Sequence, residues 1–321
     1  MAKIIPHSLL CSAVLLLAVM PGCQRVPDKI EPTIQYAVQD KYLQRLPSPF
    51  PPLSIAEQGE DWAKEYQIGM AFAHALDLYQ AITAFKRAEI LIPKEKAERS
   101  KEIQYEIFLC YYVGKKYADA IHAFEYSQLK YIDPSFPALH DMLLALYDSY
   151  LQEKNYEQAQ RTLQFIEAYY PQEAEKLAVS TALVAGELPL IRYYGTELNN
   201  FSYLNDFVDS YERDKKSVGK AQFLNAVVPG AGYLYLGQPQ SAFTAFLLNG
   251  LFIAAATGFF THGNIAAGAI FTSFEAGWYF GGIYGAGLEA KYSNERLYEQ
   301  RASPMMNQQG LFPVLMLNYA F

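Results

Sequence analysis

Cysteine, tryptophan and histidine are scarce, with three Cys, two Trp and five His in the whole chain. Cys11 and Cys23 fall in the N-terminal segment 1–23, so Cys110 has no partner for an internal disulfide in the rest of the chain. Cys110 lies in "YEIFLCYYV", an apolar helical pattern that suits core packing rather than catalysis. Beyond segment 1–23 the histidines are His74, His122, His140 and His262, and none has another histidine at metal-ligand spacing. His140 and Asp141 are neighbours, but successive residues on a helix point apart, so they are not expected to meet. There is no GxSxG, HExxH, Walker loop, CxxC or Rossmann glycine fingerprint. Neither an enzyme, a metal nor a cofactor is expected. Charge is sparse as well: charged residues are 18%, the net charge is −7, and no long run has one sign. That balance excludes a general nucleic-acid binder, which needs a basic surface.

What the chain has is apolar and aromatic surface: 51% hydrophobic residues, with Tyr 26 and Phe 20. Segment 1–23, "MAKIIPHSLLCSAVLLLAVMPGC", holds one lysine, an apolar run from Ser8 to Met20 and a final cysteine. The run is short for a membrane span and right for a signal peptide. Its end, "VMPGC", resembles a bacterial lipobox with Met20 where leucine is common, which implies lipidation at Cys23. Such a lipid tethers the chain to a membrane without spanning it. Residues 24–60 are polar and proline-rich, with "LPSPFPPL" at 46–53, and are expected to form an extended linker.

Over residues 61–190 a helical pattern repeats. "YQAITAFKRAEILIP", "YADAIHAFEYSQLKYIDP" and "YEQAQRTLQFIEAYYP" align so that Ala81, Ala120 and Ala159 recur at one constant interval, a period of 39. Phe85, Phe124 and Leu163 keep the same register, as do Phe72, Tyr111 and Tyr150, and Ile68, Ile107 and Leu146. Small residues let two antiparallel helices approach, and large ones fill the gaps between pairs. The pattern resembles the tetratricopeptide repeat (TPR) family. The first repeat keeps Gly69, Ala81, Phe85, Ala88 and Pro93 at the family spacing, whereas Phe108 and Tyr147 stand at the Gly69 position in the next two.

The resemblance implies an all-α solenoid of about three helix pairs, binding envelope proteins or peptides along a groove lined by the first helix of each repeat. In this register the groove residues are Tyr66, Met70 and His74, then Glu102, Tyr105, Leu109 and Tyr112, then Asp141, Leu144, Asp148 and Gln152. Residues 172–190 suit a capping helix with Gly186 near its end, and 191–220 a connecting segment.

Residues 221–290 read as a membrane helical hairpin. Ser241–Phe260 and Asn264–Tyr284 are apolar stretches of spanning length joined by "THGN". Asn249 and Glu275 lie equally far from His262, one before it and one after, so the two polar side chains are expected at one depth, bonded to each other. Small residues at every fourth position (Gly250, Ala254 and Gly258; Ala269, Ser273, Gly277, Gly281 and Gly285) suit close helix contact, within one chain or in a homo-oligomer. "PGAGYLYLG" and "FEAGWYFGG" resemble a bacterial domain with two transmembrane helices, which implies no single activity.

Lys215, Lys216 and Lys220 before the hairpin, and Lys291, Arg296 and Arg301 after it, favour the cytoplasmic side. That conflicts with a periplasmic repeat domain, and a third span at 221–236 is the alternative. Residues 291–321 form a tail whose end, "GLFPVLMLNYAF", alternates like a short strand or packs as an irregular segment. The expectation is a TPR scaffold of the bacterial cell envelope, facing the periplasm, touching protein partners and membrane lipid but not nucleic acid. The alternative is an oligomeric transport or pore component built from the hairpin.

Overall fold

The computed structural model of the chain describes residues 25–34 and 40–321. The signal peptide and Cys23 lie outside the described residues. The protein is all-α, with stacked antiparallel helices and no strand among the described residues. Its contacts divide it into two compact units, Ile34–Val184 with Ala302–Phe321, and Met1–Thr33 with Ala185–Arg301.

The first unit is built from helix pairs consecutive in sequence: α1 (Asp61–His74) on α2 (Leu78–Leu91), α3 (Ala97–Val113) on α4 (Tyr117–Glu125), and α5 (Leu139–Gln152) on α6 (Tyr156–Tyr169). α7 (Pro171–Ala185) follows. Each pair turns in the same way. Leu76, Lys115 and Lys154, spaced by the repeat period, hold left-handed backbone at φ 59°, 56° and 58°. The next amide donates back to the carbonyl of Phe72, Tyr111 or Tyr150 at 2.9, 2.9 and 2.8 Å. This is a Schellman turn, whose left-handed residue is usually glycine.

The aligned alanines Ala81, Ala120 and Ala159 are all buried. At Gly69 the α1 backbone lies against the Phe85 ring, which a Cβ would approach to 2.5 Å. Ile107 and Leu146 are buried, while Ile68 stays 43% exposed in the first pair. The second repeat departs most. Its α4 is short, ending at Glu125, and a 3-10 turn at Gln128–Tyr131 carries the chain on.

Part of the expected linker, 50–58, and the C-terminal tail are packed segments. Phe50 packs between Tyr105 and Phe136, with ring centroids 5.6 Å from each. Ser54 and Glu57 form a capping box that starts a single helical turn, Ile55–Gln58. The tail leaves its helix at Gly310 (φ 62°), makes a 3-10 turn at Pro313–Met316, and packs on α5. It is a packed segment rather than a strand. Pro313 has no N–H, and the Ala320 amide finds Pro47 O at 3.0 Å rather than a strand ladder.

The second unit contains α8 (Leu188–Glu197), α9 (Tyr203–Asp214), α10 (Val218–Val227), α11 (Ala231–Tyr235), α12 (Pro239–Thr261) and, as far as Arg301, α13 (Ile265–Gln308). The segment expected to connect two domains, 191–220, belongs to this unit. No single helix covers 221–236, because α10 ends before Pro229 and Gly230 turns the chain at φ 94°. A side chain at Gly230 would meet Ala242 O at 2.3 Å, so only glycine fits there.

α12 and α13 are joined by a short turn with Gly263 at φ 77°. Phe271 packs on Phe259 and Phe252 at centroid separations of 5.2 and 6.3 Å. α12 alone among the described helices is long and apolar enough to cross a membrane by length and composition. The expected second span does not end at Tyr284 but continues to Gln308, with Glu289, Lys291 and Glu295 on it. Residues 25–33 lie along this helix. Val26 is buried with Val218, Ala221 and Ala290, and the Glu31 and Thr33 amides donate to Glu295 and Glu299 at 2.9 and 2.6 Å.

Candidate functional site: the inner face of the repeats

The face expected to form an open groove is largely buried. Tyr66, Glu102, Tyr105, Leu109, Tyr112, Asp141, Leu144 and Asp148 are all buried, Met70 is half-buried, and only His74 and Gln152 are exposed. Tyr66 meets Glu102, and Tyr112 and Gln152 meet Asp148, while irregular segments of the chain lie against Tyr105 and Asp141.

Arg99 on α3 holds the first of these segments. Its guanidinium donates to Pro51 O at 2.9 Å, Pro52 O at 3.1 Å, Glu57 at 3.1 Å and Glu102 at 2.7 Å. Proline tracts leave carbonyls without neighbouring N–H partners, and a guanidinium supplies several donors at once. The bond to Arg99, with help from Ser54, lowers the Glu57 carboxyl to about 2. Burial instead raises Glu102, despite its bonds to Tyr66 and Arg99. One turn on, Glu106 is fully buried, neither oxygen has a hydrogen-bond partner, and burial raises it well above the usual carboxylate range. A protonated Glu106 is the species consistent with that site.

On α5 the tail is gripped by its backbone. The Asp141 carboxylate accepts from the amides of Asn318 at 3.0 Å and Tyr319 at 2.7 Å. Tyr42 donates its hydroxyl to Leu315 O at 2.9 Å and to Leu317 O at 3.2 Å. His140 does not point away from Asp141, as helical geometry suggested. Its Nδ1 lies 2.5 Å from Asp141 Oδ1 and 3.0 Å from Asn318 Nδ2. Both residues stand in the first turn of α5, where side chains can curl toward the docked tail. Further along α5, Tyr112 and Gln152 donate to Asp148 at 2.9 and 3.0 Å, and burial raises that carboxyl.

Sequence reasoning missed Arg99 and Tyr42, and it did not say where the tail packs. The available signal was the pairing of bare proline carbonyls with a lone arginine. A separate open pocket of about 420 Å³, lined by Lys86, Gln104, Tyr111, His122 and Tyr126 among others, lies between the first two pairs. Among the described residues no group of three or more His, Cys, Asp or Glu side chains is placed to hold a metal ion.

The expected Asn249–Glu275 bond is not made. Asn249 is 4% exposed, and its amide donates to Ala245 O at 2.6 Å, one turn back on α12. Asn249 Oδ1 and Glu275 Oε2 are buried without partners. Equal depth in two helices does not fix facing, and a carbonyl one turn back is the nearer acceptor. Asn249 lines a cavity of about 560 Å³ with Asn225, Thr244, Gly277, Trp278 and Gly281, among other residues. Comparison with family models, with curated proteins and with solved structures finds no match.

Proposed function

We propose that this chain is a membrane-attached scaffold of the bacterial cell envelope. Its TPR-like solenoid mediates protein–protein contacts on the periplasmic side, and α12 with the first part of α13 forms a hairpin in lipid. The observation that carries the reading is α12. It has 23 residues, and only 17% of its most apolar stretch is buried in the protein. Phe243, Phe246, Leu251 and Ile253 are each more than half exposed. At 1.5 Å per residue such a helix reaches about 34 Å, enough for a bilayer core. An apolar face of that length in water is unfavourable, and lipid is the cover that its length fits. The repeat resemblance, with the same turn at Leu76, Lys115 and Lys154, supports the scaffold half of the reading.

Carbonate washing of membranes tests the attachment, with wild type and Cys23→Ala compared. Cys23→Ala is expected to lose acyl labelling yet stay in the washed pellet, held by α12. Release of that variant into the supernatant would refute insertion. The oligomeric transport or pore reading has one favouring observation, the unpartnered Asn249 Oδ1 and Glu275 Oε2, which a second copy would satisfy. Discrete cross-linked oligomers in detergent would support it, and a monomer would remove it.

A further inference from the structure

We propose that Leu311–Phe321 is an intramolecular ligand. It occupies a face of the repeat unit that takes an apolar, turn-containing segment of a partner protein, and a partner binds there by exchanging with it. This rests on the scaffold reading above and names the face and the chemistry it accepts.

The grip on the tail runs through main-chain atoms. Asp141 takes two successive backbone amides, those of Asn318 and Tyr319, and the Tyr42 hydroxyl serves two backbone carbonyls, of Leu315 and Leu317. Any chain that makes the same turn and then runs on extended offers the same donors and acceptors, so this part of the recognition does not depend on the tail's own side chains. Selectivity comes from the apolar side chains, since Phe312, Val314, Met316, Leu317 and Phe321 are all buried. The ligand class is therefore a segment rich in aliphatic and aromatic residues that can make a single 3-10 turn, with free N–H groups where Asn318 and Tyr319 now present theirs.

Asp141 is fully buried, and the contacts shown for its oxygens are His140 and the two tail amides. Withdrawing the tail would take both amide donors from Asp141 and uncover the apolar surface against which Phe312, Leu317 and Phe321 are buried, an unfavourable state. The face is thus poorly suited to standing empty, which favours exchange over simple opening. A pivot is present: Gly310 turns the chain at φ 62°, directly after the exposed residues 307–309.

The test uses the full chain in detergent with a protease site inserted between Gln309 and Gly310. After cleavage, a fluorescent peptide of residues 310–321 is added. The cleaved chain is expected to take up the peptide saturably, with unlabelled peptide competing and a scrambled peptide failing. The uncleaved chain should bind at least about tenfold more weakly, because its tethered tail competes at high effective concentration. Asp141→Asn in the cleaved chain should weaken capture by about tenfold or more, because it removes a charged acceptor of two amides.

Loss of the Trp62 folded signal on cleavage would overturn the proposal, because the tail would then be core. Retention of the original tail without exchange over days, or equal binding of the scrambled peptide, would overturn it too. None of these outcomes bears on membrane attachment, which stands or falls on the carbonate experiment.

Discussion

Lys115 and Lys154 occupy left-handed backbone that glycine adopts without strain, and replacing them should stabilise the repeat unit. Both side chains are exposed, and their φ values are 56° and 58°. A non-glycine residue pays about 1–2 kcal/mol for this conformation. Glycine recovers that strain but gives the unfolded chain more freedom, which offsets about 0.4–1 kcal/mol. The middle of these two ranges leaves a net gain of about 0.8 kcal/mol per site. The two turns close different helix pairs, so the effects should add to about 1–2 kcal/mol. In a unit of this size each kcal/mol moves the midpoint by roughly 2–4 °C, so the double variant should melt roughly 2–8 °C higher. The assay has a built-in reporter. Of the two tryptophans, Trp62 is buried in the repeat unit and Trp278 lies in the other unit, so Trp278→Phe isolates the signal. Lys154→Ala keeps the strain and should give little of the gain. If Lys115→Gly/Lys154→Gly melts at or below the parent temperature, the shared left-handed turn is wrong.

Gly69→Ala should destabilise the repeat unit by about 1–3 kcal/mol in urea unfolding, despite alanine's helix preference, because its Cβ would lie 2.5 Å from the buried Phe85 ring. Tyr112→Phe should cost about 1–3 kcal/mol in the same measurement by removing a donor from buried Asp148. The raised carboxyl of Glu106 means that the folded chain keeps a proton which the unfolded chain releases above the ordinary value of 4.5. Stability contributed by that group therefore falls as pH rises from about 4.5 toward the raised value. Glu106→Gln should flatten this part of the pH profile and gain stability at pH 8 relative to pH 4, leaving a smaller slope of the same sign from Glu102 and Asp148.

The helix pairs are legible in the sequence because their signal is periodic. Ala81, Ala120 and Ala159 mark a close contact that recurs at a constant interval, and the turns at Leu76, Lys115 and Lys154 repeat with the same interval. The same register picks out Tyr66, Tyr105, Leu109, Tyr112, Asp141, Leu144 and Asp148, which are buried rather than open. Their occupancy is not legible, because what covers them has no period. "LPSPFPPL" and "GLFPVLMLNYAF" are irregular segments whose partners lie far along the chain, as with Arg99 for Pro51 and Asp141 for Tyr319. Proline content correctly excludes long regular helices in 46–53, but it does not distinguish a solvated linker from an irregular segment docked through its carbonyls. The length of α13 escapes the sequence for another reason. The fall in apolarity after Tyr284 is a change of composition only, and the backbone continues as helix through it.

Asn249 and Glu275 present the same problem as Asp141, a polar group in apolar surroundings, with a different outcome. Asp141 is satisfied by amides of the chain itself. Asn249 satisfies only its N–H side, at Ala245 O, and Glu275 Oε2 has no partner. Because the two do not bond, a double-mutant cycle on the monomer with Asn249→Leu and Glu275→Leu should be additive within about 0.3–0.5 kcal/mol. Paired polar side chains inside membranes couple by about 0.6 kcal/mol on average and by up to about 1.7 kcal/mol. The cycle is to be measured by unfolding in bilayers at dilution sufficient to hold the chain monomeric. A coupling near the upper end of that range would show that the side chains meet in lipid, and the open arrangement of Asn249 would be wrong. Additivity in the monomer together with coupling at high protein-to-lipid ratio would place the missing donor on a second copy, and would carry the oligomeric reading forward.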